Sequence, residues 1–395
     1  MEKFKPVLSI LIPTRNRESS LLFSVQSALA IDSEFVEILV SDNWSHDDTW
    51  GRLNAIADNR LRLFRPPSAV AMHEHWEFLL AQAQGDWVTF IGDDDAILPY
   101  SLFEIESVSK RYPWCEAIYS ARSYYFWPKR GKPDGVLRFS MVGASIVGDS
   151  TSTLRDLLNG TLNYLYSPQI YSGGFLRRTL VNRVRRASGR FFMSAVPDAS
   201  SAVNCLSYTT NYIRHGIPLS IVGTSPVEKN TVVEERGKDR VKDFYDFLPF
   251  TDTCLHPVCP DLNPRDLIFP VAAHFSLIES FCSSIPFCRQ DLLDGDHLVR
   301  ILIRTIIACR ERALEQTESQ IRSYFSGFSI SESMIEAYAE KYSEYVPDPM
   351  EGSVIYTSNA QSKFANISQA ADVINIQYKA LVKGSASNLY TRDSH

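Results

Sequence analysis

Between Val7 and Asp95, four short apolar runs alternate with segments of helical spacing, and the fourth run ends in three consecutive carboxylates. The runs are Val7–Ile12, Val36–Val40, Leu61–Phe64 and Trp87–Ile91. Glu18–Ala30 carries apolar residues at Leu21, Leu22, Val25, Ala28 and Leu29, and His73–Gln84 carries Trp76, Leu79, Leu80 and Ala83. That spacing predicts helices with one apolar face. Asp47 and Asp48 suit a helix N-terminus, where backbone N–H groups lack partners. Strand–helix alternation at this interval predicts βαβ units and a mixed, mainly parallel sheet. The fourth run has almost no polar position, as expected of a strand covered on both faces.

Gly92 and the triplet Asp93-Asp94-Asp95 follow that run. In open α/β sheets, ligands bind beyond the carboxyl ends of the strands. Clustered acids repel one another, and burial raises the cost unless a cation is present. An oxygen-only cluster suits Mg²⁺ or Mn²⁺, ions that commonly also hold a substrate phosphate. From the residues alone, the triplet reads equally as a solvated acidic turn before a helix near Pro99.

A net charge of -6 argues against non-specific nucleic-acid binding, which needs a basic surface. The seven cysteines form no C-x-x-C pair and are odd in number, which disfavours a zinc site or an extracellular disulfide framework. The segment Met1–Pro6 lacks the apolar core of a signal peptide, and no uninterrupted apolar stretch is long enough to span a bilayer. A cytoplasmic location is expected, with peripheral membrane contact open.

Beyond the triplet the pattern loosens. Ala117–Phe126 reads as strand, Lys129–Asp134 as a charged turn, Leu154–Leu165 as helix, and Gln169–Leu176 as a strand broken by Gly173-Gly174. Thr179–Ala187 is a basic helix, Asp198 opens a helix to about Ile213, and Ile217–Val222 is a last strand. Glu228–Asp243 is charged and loop-like. From Asp266 onward helices are expected: Leu267–Ser283, Leu298–Gln316, Glu318–Phe325, Ser331–Tyr345 and Ile367–Val382. The expected domains are an α/β domain over residues 1–225, a helical extension over 226–382 and a flexible tail over 383–395.

Four polar segments fall at strand ends on one edge of this sheet. They are Pro13-Thr14-Arg15-Asn16-Arg17, Ser41-Asp42-Asn43-Trp44-Ser45, Met72-His73-Glu74-His75-Trp76 and Gly92–Asp95. With Ser9–Arg17, Leu39–Ser45 and Gly85–Pro99 in this order, the chain resembles the family 2 inverting glycosyltransferases, whose nucleotide-binding fold is called GT-A. The resemblance covers roughly the first half of the chain. It departs from the family pattern at Gly92, where the family's first aspartate would fall, and at Asn43-Trp44, which replace small residues.

The resemblance implies a transferase that moves a sugar from a nucleotide-diphosphate sugar, UDP most commonly, to a glycan or lipid-linked acceptor with inversion. It implies Mn²⁺ or Mg²⁺ on Asp94 and Asp95, and donor contacts from Pro13, Thr14, Arg15, Arg17, Asp42, Trp76, Asp93 and Asp94. Asp42 would accept from the base N–H, with helix capping as its alternative. Arg15 and Arg17 suit a diphosphate because a guanidinium is a planar fork of donors. Asp198 is the candidate base for the acceptor hydroxyl, with an N-cap as its alternative role; Asp149 is a second candidate. Trp44 either stacks near the base or packs beneath the next helix. For His73, His75 and Trp76 the plain reading is a solvated histidine pair and a core tryptophan. His256 or His274 is a candidate late metal ligand.

The apolar faces of the C-terminal helices suit packing on the first domain, a homodimer interface, or contact with a membrane bearing a lipid-linked acceptor. Two other functions fit an acid cluster on an α/β sheet. A nucleotidyltransferase would need a Gly-rich phosphate loop after the first strand, and Pro13-Thr14-Arg15-Asn16 has no glycine. A non-catalytic nucleotide-sugar or glycan-binding module would tolerate loss of Asp198.

Overall fold

The computed structural model describes residues 5–128, 135–171, 173–224, 276–277, 280–281, 292, 296–311, 315–324, 326, 329–342, 364 and 366–390. The four apolar runs form β1 (Leu8–Thr14), β2 (Val36–Asp42), β3 (Leu61–Phe64) and β4 (Trp87–Phe90), all parallel, in the order β3-β2-β1-β4. Alternation along a strand sends successive side chains to opposite faces. Leu8, Ile10 and Ile12 accordingly enter one core and Leu11 the other, as do Val36, Ile38 and Val40 against Leu39. The first core is closed by α1 (Leu21–Leu29) and α4 (Ser101–Arg111), the second by α3 (Met72–Leu80). The short helix α2 (Thr49–Asn54) follows β2.

The sheet continues beyond β4 with β10 (Gly174–Arg177), β6 (Ala117–Ser120), β11 (Asn211–His215) and β9 (Ser145–Asp149). Strand β10 runs antiparallel to β4 and β6, while β6 and β11 are parallel, so the sheet is mixed and mainly parallel, as expected. A second sheet has the order β5-β12-β7-β8, from Ala96–Ile97, Ser220–Thr224, Ser123–Phe126 and Val136–Phe139. Helices α5 (Ser150–Leu158), α6 (Arg178–Ser188) and α7 (Pro197–Tyr208) cover the second core.

Several expectations for this half change. The helix opened by Asp198 stops at Tyr208 and not near Ile213, because Asn211–His215 pairs as a strand with both β6 and β9. The helix expected over Leu154–Leu165 is α5, followed after Leu158 by a separate 3-10 turn at Tyr164–Tyr166. Asp149 caps α5, its side chain accepting from the Ser152 N–H at 2.6 Å, so it is not placed as a catalytic base. The turn at Lys129–Asp134, the loop at Glu228–Asp243, and His256 and His274 lie outside the described residues.

The C-terminal region is helical where described: α8 (His297–Glu311), α9 (Glu315–Tyr324), α10 (Glu332–Tyr342) and α11 (Ile367–Tyr390). Ile367, Ala370, Ile374 and Tyr378 of α11 enter the first core at i, i+3, i+4 spacing. Tyr378 stacks on Tyr100 at 3.7 Å and donates to Glu104 Oε1 at 2.7 Å. Arg300 of α8 reaches the Asn159 carbonyl at 2.9 Å. Both helices therefore pack on the first domain. No helix of the described residues is long and apolar enough to cross a membrane.

His73 and His75 are buried, 7% and 4% exposed, and not the solvated pair the sequence suggests. His75 Nε2 shares a hydrogen bond with Ser41 Oγ at 2.8 Å. Burial lowers both imidazoles to about 4, with the Arg190 charge adding to this at His73 and Asp42 opposing it at His75. The unfolded chain, titrating near 6.5, then binds more protons than the folded chain, so their contribution falls as pH drops from 6.5 toward 4. The His73→Gln/His75→Gln variant should lose less stability between neutral pH and about pH 5 than the native chain does, measured by urea unfolding. An equal loss would contradict the buried neutral pair.

Candidate functional site

The carboxyl ends of β1, β2 and β4 place three loops side by side. The first two are laced together: Asn43 N–H donates to the Thr14 carbonyl at 2.9 Å, Asn16 N–H to Ser45 Oγ at 2.8 Å, and His46 N–H to Asn16 Oδ1 at 2.8 Å. Asn16 and Trp44 adopt left-handed backbone, at φ 55° and 57°, where a non-glycine residue is uncommon. The lacing holds both loops in that conformation. It also fixes Thr14, whose hydroxyl donates to Asp93 Oδ2 at 2.8 Å, and Arg17, whose Nε stands 3.6 Å from Asp93 Oδ1.

The three acids have three different surroundings. Asp93 faces Thr14 and Arg17; burial pushes its carboxyl above the usual range, with Arg17 opposing and Asp94 reinforcing. Asp95 is 1% exposed. Its Oδ2 accepts from the Gly92 N–H at 2.6 Å and its Oδ1 from the Gly223 N–H of β12 at 2.7 Å, and Tyr171 also bonds to it. Burial and the Asp94 charge push Asp95 up as well. Asp94 is only partly buried, and its backbone carbonyl accepts from Trp127 Nε1 at 3.0 Å.

Gly92, before the triplet, lies beneath its side chains. A Cβ on Gly92 would lie 3.0 Å from Asp95 Oδ2, 3.1 Å from Asp94 Oδ1 and 3.1 Å from Tyr171 Oη. Three oxygens thus converge over a residue with no side chain. Gly223 is similarly constrained: its Cβ would stand 1.7 Å from the Asp94 carbonyl oxygen. The two carboxylates among these oxygens are hard donors of the kind that Mg²⁺ or Mn²⁺ takes. Among the described residues no group of three or more His, Cys, Asp or Glu side chains is placed to hold a metal. The fit is therefore to an ion held by one or two carboxylates, completed by substrate phosphate and water.

Asp42 is fully buried and its carboxylate is already engaged. Oδ2 accepts from Arg65 Nε at 3.0 Å and Nη2 at 2.6 Å, and Oδ1 accepts from the Ser45 N–H at 3.0 Å and from its hydroxyl. It neither caps a helix nor offers a free acceptor. Arg65 lies over the rings of Trp50 at 4.2 Å and Trp44 at 5.3 Å. Trp44 is 42% exposed and bonds through Nε1 to the Pro66 carbonyl at 3.0 Å, so it does not pack beneath the helix. Trp76, a candidate donor contact, is 8% exposed and stacks on Phe90 at 4.5 Å with Phe192 and Tyr171 against it. It supports the floor of the site from the core.

Asp198 lies at the start of α7, in the first turn after Val196. Its Oδ2 accepts from Tyr164 Oη at 3.1 Å and its Oδ1 from the Ala199 N–H at 3.0 Å. Burial raises its carboxyl, while Tyr164 and the Arg122 charge hold the rise back. Tyr171 links the two acid groups. Its segment runs along β4, with Phe90 N–H donating to the Ile170 carbonyl at 2.8 Å, and its hydroxyl feels Asp95, Asp94 and Asp198 together. The structure thus gathers Pro13, Thr14, Arg15, Arg17, Asp42 and the triplet at one sheet edge, with Asp198 beside them. Sequence reasoning missed Arg65, Arg122, Tyr164 and Tyr171. Arg65 carried one usable signal, a cation directly at the end of the third strand.

Residues 9–112 match the sequence profile of the family described as Glycosyl transferase family 2. A GalNAc(5)-diNAcBac-PP-undecaprenol beta-1,3-glucosyltransferase of Campylobacter jejuni is 34% identical over 100 residues, 25% of this chain and 32% of that protein. The UDP-Glc:alpha-D-GlcNAc-diphosphoundecaprenol beta-1,3-glucosyltransferase WfaP of Escherichia coli is 29% identical over 89 residues, 22% of this chain and 36% of that protein. The chain thus spans about a third of the length of these relatives. Among solved structures, S. aureus TarS 1-349 in complex with UDP-GlcNAc aligns with a TM-score of 0.43 at 17% identity, covering 81% of this chain and 92% of that one.

Because a Cβ on Gly92 would crowd three side-chain oxygens at 3.0–3.1 Å, placing an acid there should damage the site. Gly92→Ala is expected to lower the unfolding free energy by about 1–3 kcal/mol, the usual cost of overpacking, and Gly92→Asp by more. Chemical denaturation measures this; a neutral Gly92→Asp would contradict the packing around Asp94, Asp95 and Tyr171.

Proposed function

We propose, from the family 2 glycosyltransferase domain that residues 9–112 form, that the chain transfers a sugar with inversion from a nucleotide-diphosphate donor, a UDP-sugar, to a glycan or lipid-diphosphate-linked acceptor. The observation that carries this reading is the convergence of the triplet and Asp198 around Tyr171. One end of that crevice suits a charged leaving group and the other suits a base. The names of the Campylobacter and Escherichia relatives, both acting on undecaprenol-linked acceptors, favour the lipid-linked class.

In this reading the diphosphate lies over the triplet, with Arg15 and Arg17 on its outer side. Asp94 and Asp95 would hold a divalent cation, Mn²⁺ or Mg²⁺, which supplies Lewis-acid stabilisation of the charge on the departing diphosphate. Asp93 is held by Thr14 and Arg17 and orients Arg17 toward the phosphates. The base subsite is the surface formed by Trp44 and Arg65 above Asp42, so Asp42 acts through Arg65. Pro13, one residue before the end of β1, would supply an apolar wall beside that subsite.

Asp198 takes the proton of the acceptor hydroxyl as the new bond forms at the anomeric carbon and the bond to the diphosphate breaks. Its burial makes the ionised carboxylate a stronger base than an exposed one, and Tyr164 orients it. Tyr171 separates Asp198 from the triplet and sets the spacing between base and leaving group. The C-terminal helices pack against this domain, and peripheral contact with an acceptor-bearing membrane is the role assigned to their outer surface.

Asp198→Asn keeps the shape and removes the base. It should leave nucleoside-diphosphate affinity unchanged and lower transfer by about 10²–10⁴-fold, the usual share of general base catalysis. Radiolabelled transfer to a lipid-linked acceptor and calorimetry measure the two. Undiminished transfer by Asp198→Asn would remove Asp198 from the mechanism, and absence of transfer by the folded native chain would favour the binding-module reading.

A further inference from the structure

One buried cation is not used by the reaction above, and its charge is felt at Asp198. Arg122 follows β6 and is 7% exposed. Its Nε donates to Tyr119 Oη at 3.0 Å and its Nη1 to Tyr124 Oη at 3.5 Å. The guanidinium lies 5.5 Å from the Tyr119 ring centre and 5.9 Å from that of Tyr166. Its Nη2 is buried with no hydrogen-bond partner among the described residues. Among the described residues no carboxylate forms an ion pair with it.

Such an arrangement is expensive. Burying a guanidinium is costly unless an opposite charge compensates, and an orphaned buried donor adds to that cost. Tyrosine hydroxyls and ring faces supply only part of this. The guanidinium's charge is felt at Asp198, which already has Tyr164 and a backbone N–H. Tyr124 and Tyr166 are partly exposed, so the cation lies beneath a tyrosine rim and not within a sealed core.

We propose that Arg122 is the anion-binding group of the acceptor subsite, taking a phosphate or carboxylate oxygen of the acceptor while its hydroxyl faces Asp198. The inference rests on reading Asp198 as the acceptor's base. The guanidinium fork matches either anion, and the orphaned Nη2 is the donor left for it. The ring faces of Tyr119 and Tyr166 flank the fork as walls for the sugar that carries the charge. In this role Arg122 would recognise acceptors that bear a negative group next to the reacting sugar and discriminate against neutral ones.

Binding of three probes to the full chain tests this by ligand-observed NMR: N-acetylglucosamine 1-phosphate, glucuronate and neutral N-acetylglucosamine. At least one anionic probe should bind about tenfold or more tightly than the neutral sugar, about 1.4 kcal/mol. A preference for the phosphate assigns a sugar phosphate acceptor, and one for glucuronate an acidic sugar. Arg122→Gln should abolish the preference and Arg122→Lys retain part of it. Arg122→Gln should also keep UDP affinity and have an unchanged or higher thermal midpoint, because an uncompensated buried charge has been removed. Equal binding of all three probes, or a lower midpoint with the preference intact, would overturn the proposal. Loss of UDP affinity in Arg122→Gln would overturn it too, by moving Arg122 to the donor side. UDP binding and Asp198→Asn transfer report separately on the transferase reading, so the two can fail independently.

Discussion

The position of every group at the sheet edge depends on the buried carboxylate of Asp95. Its two oxygens accept N–H groups from different sheets, Gly92 at the end of β4 and Gly223 in β12. Ser24 of α1 also donates to its backbone carbonyl at 2.7 Å. Leaving a buried N–H without an acceptor costs about 1–3 kcal/mol, so Asp95 ties the second sheet to the first at the one turn that carries the acids. Trp127, bonded to the Asp94 carbonyl and packed on Phe23 and Tyr125, seals the same turn from the second sheet. The triplet is therefore a rigid structural joint, with Asp94 directed over Gly92 as a consequence.

That joint divides labour among three identical side chains. Asp95 accepts from two backbone N–H groups, Asp93 is bonded to Thr14 and faces Arg17, and Asp94 is partly buried with Oδ1 over Gly92. Burial raises Asp93 and Asp95, so both sit where a divalent cation would relieve mutual repulsion. The charges are grouped: two carboxylate oxygens lie over Gly92 beside the Tyr171 hydroxyl, that hydroxyl feels Asp198 as well, and Asp198 feels the Arg122 cation. A reaction that expels a diphosphate at one acid group and deprotonates a hydroxyl at the other suits that grouping.

The first half of the fold was legible because its signals are local. Strands β1 to β4 lie within two residues or so of the apolar runs, since each run is short, apolar and closed by proline, glycine or acid. The second half was less so because its strands are made by partners. Ala96–Ile97 is two residues long and carries no period. Asn211–His215 continues a helical pattern and becomes a strand only because β6 and β9 flank it. The acid triplet, the first loop and Asp198 were visible as residues at predicted strand and helix ends. Arg65, Tyr164, Tyr171 and Arg122 were not, because their importance lies in contacts between segments far apart in sequence. The histidine pair misled for the same reason: α3 turns both into the protein, where Ser41 meets His75.

Calorimetric titration of the full chain with a panel of nucleoside diphosphates, with and without Mn²⁺, tests the donor site most directly when repeated on Asp94→Asn. The site described here predicts that one nucleotide binds, that Mn²⁺ strengthens its binding, and that Asp94→Asn removes the Mn²⁺ effect without unfolding the protein. Nucleotide binding of equal strength with and without Mn²⁺, or no binding by the folded native chain, would contradict a metal-assisted donor site at the triplet.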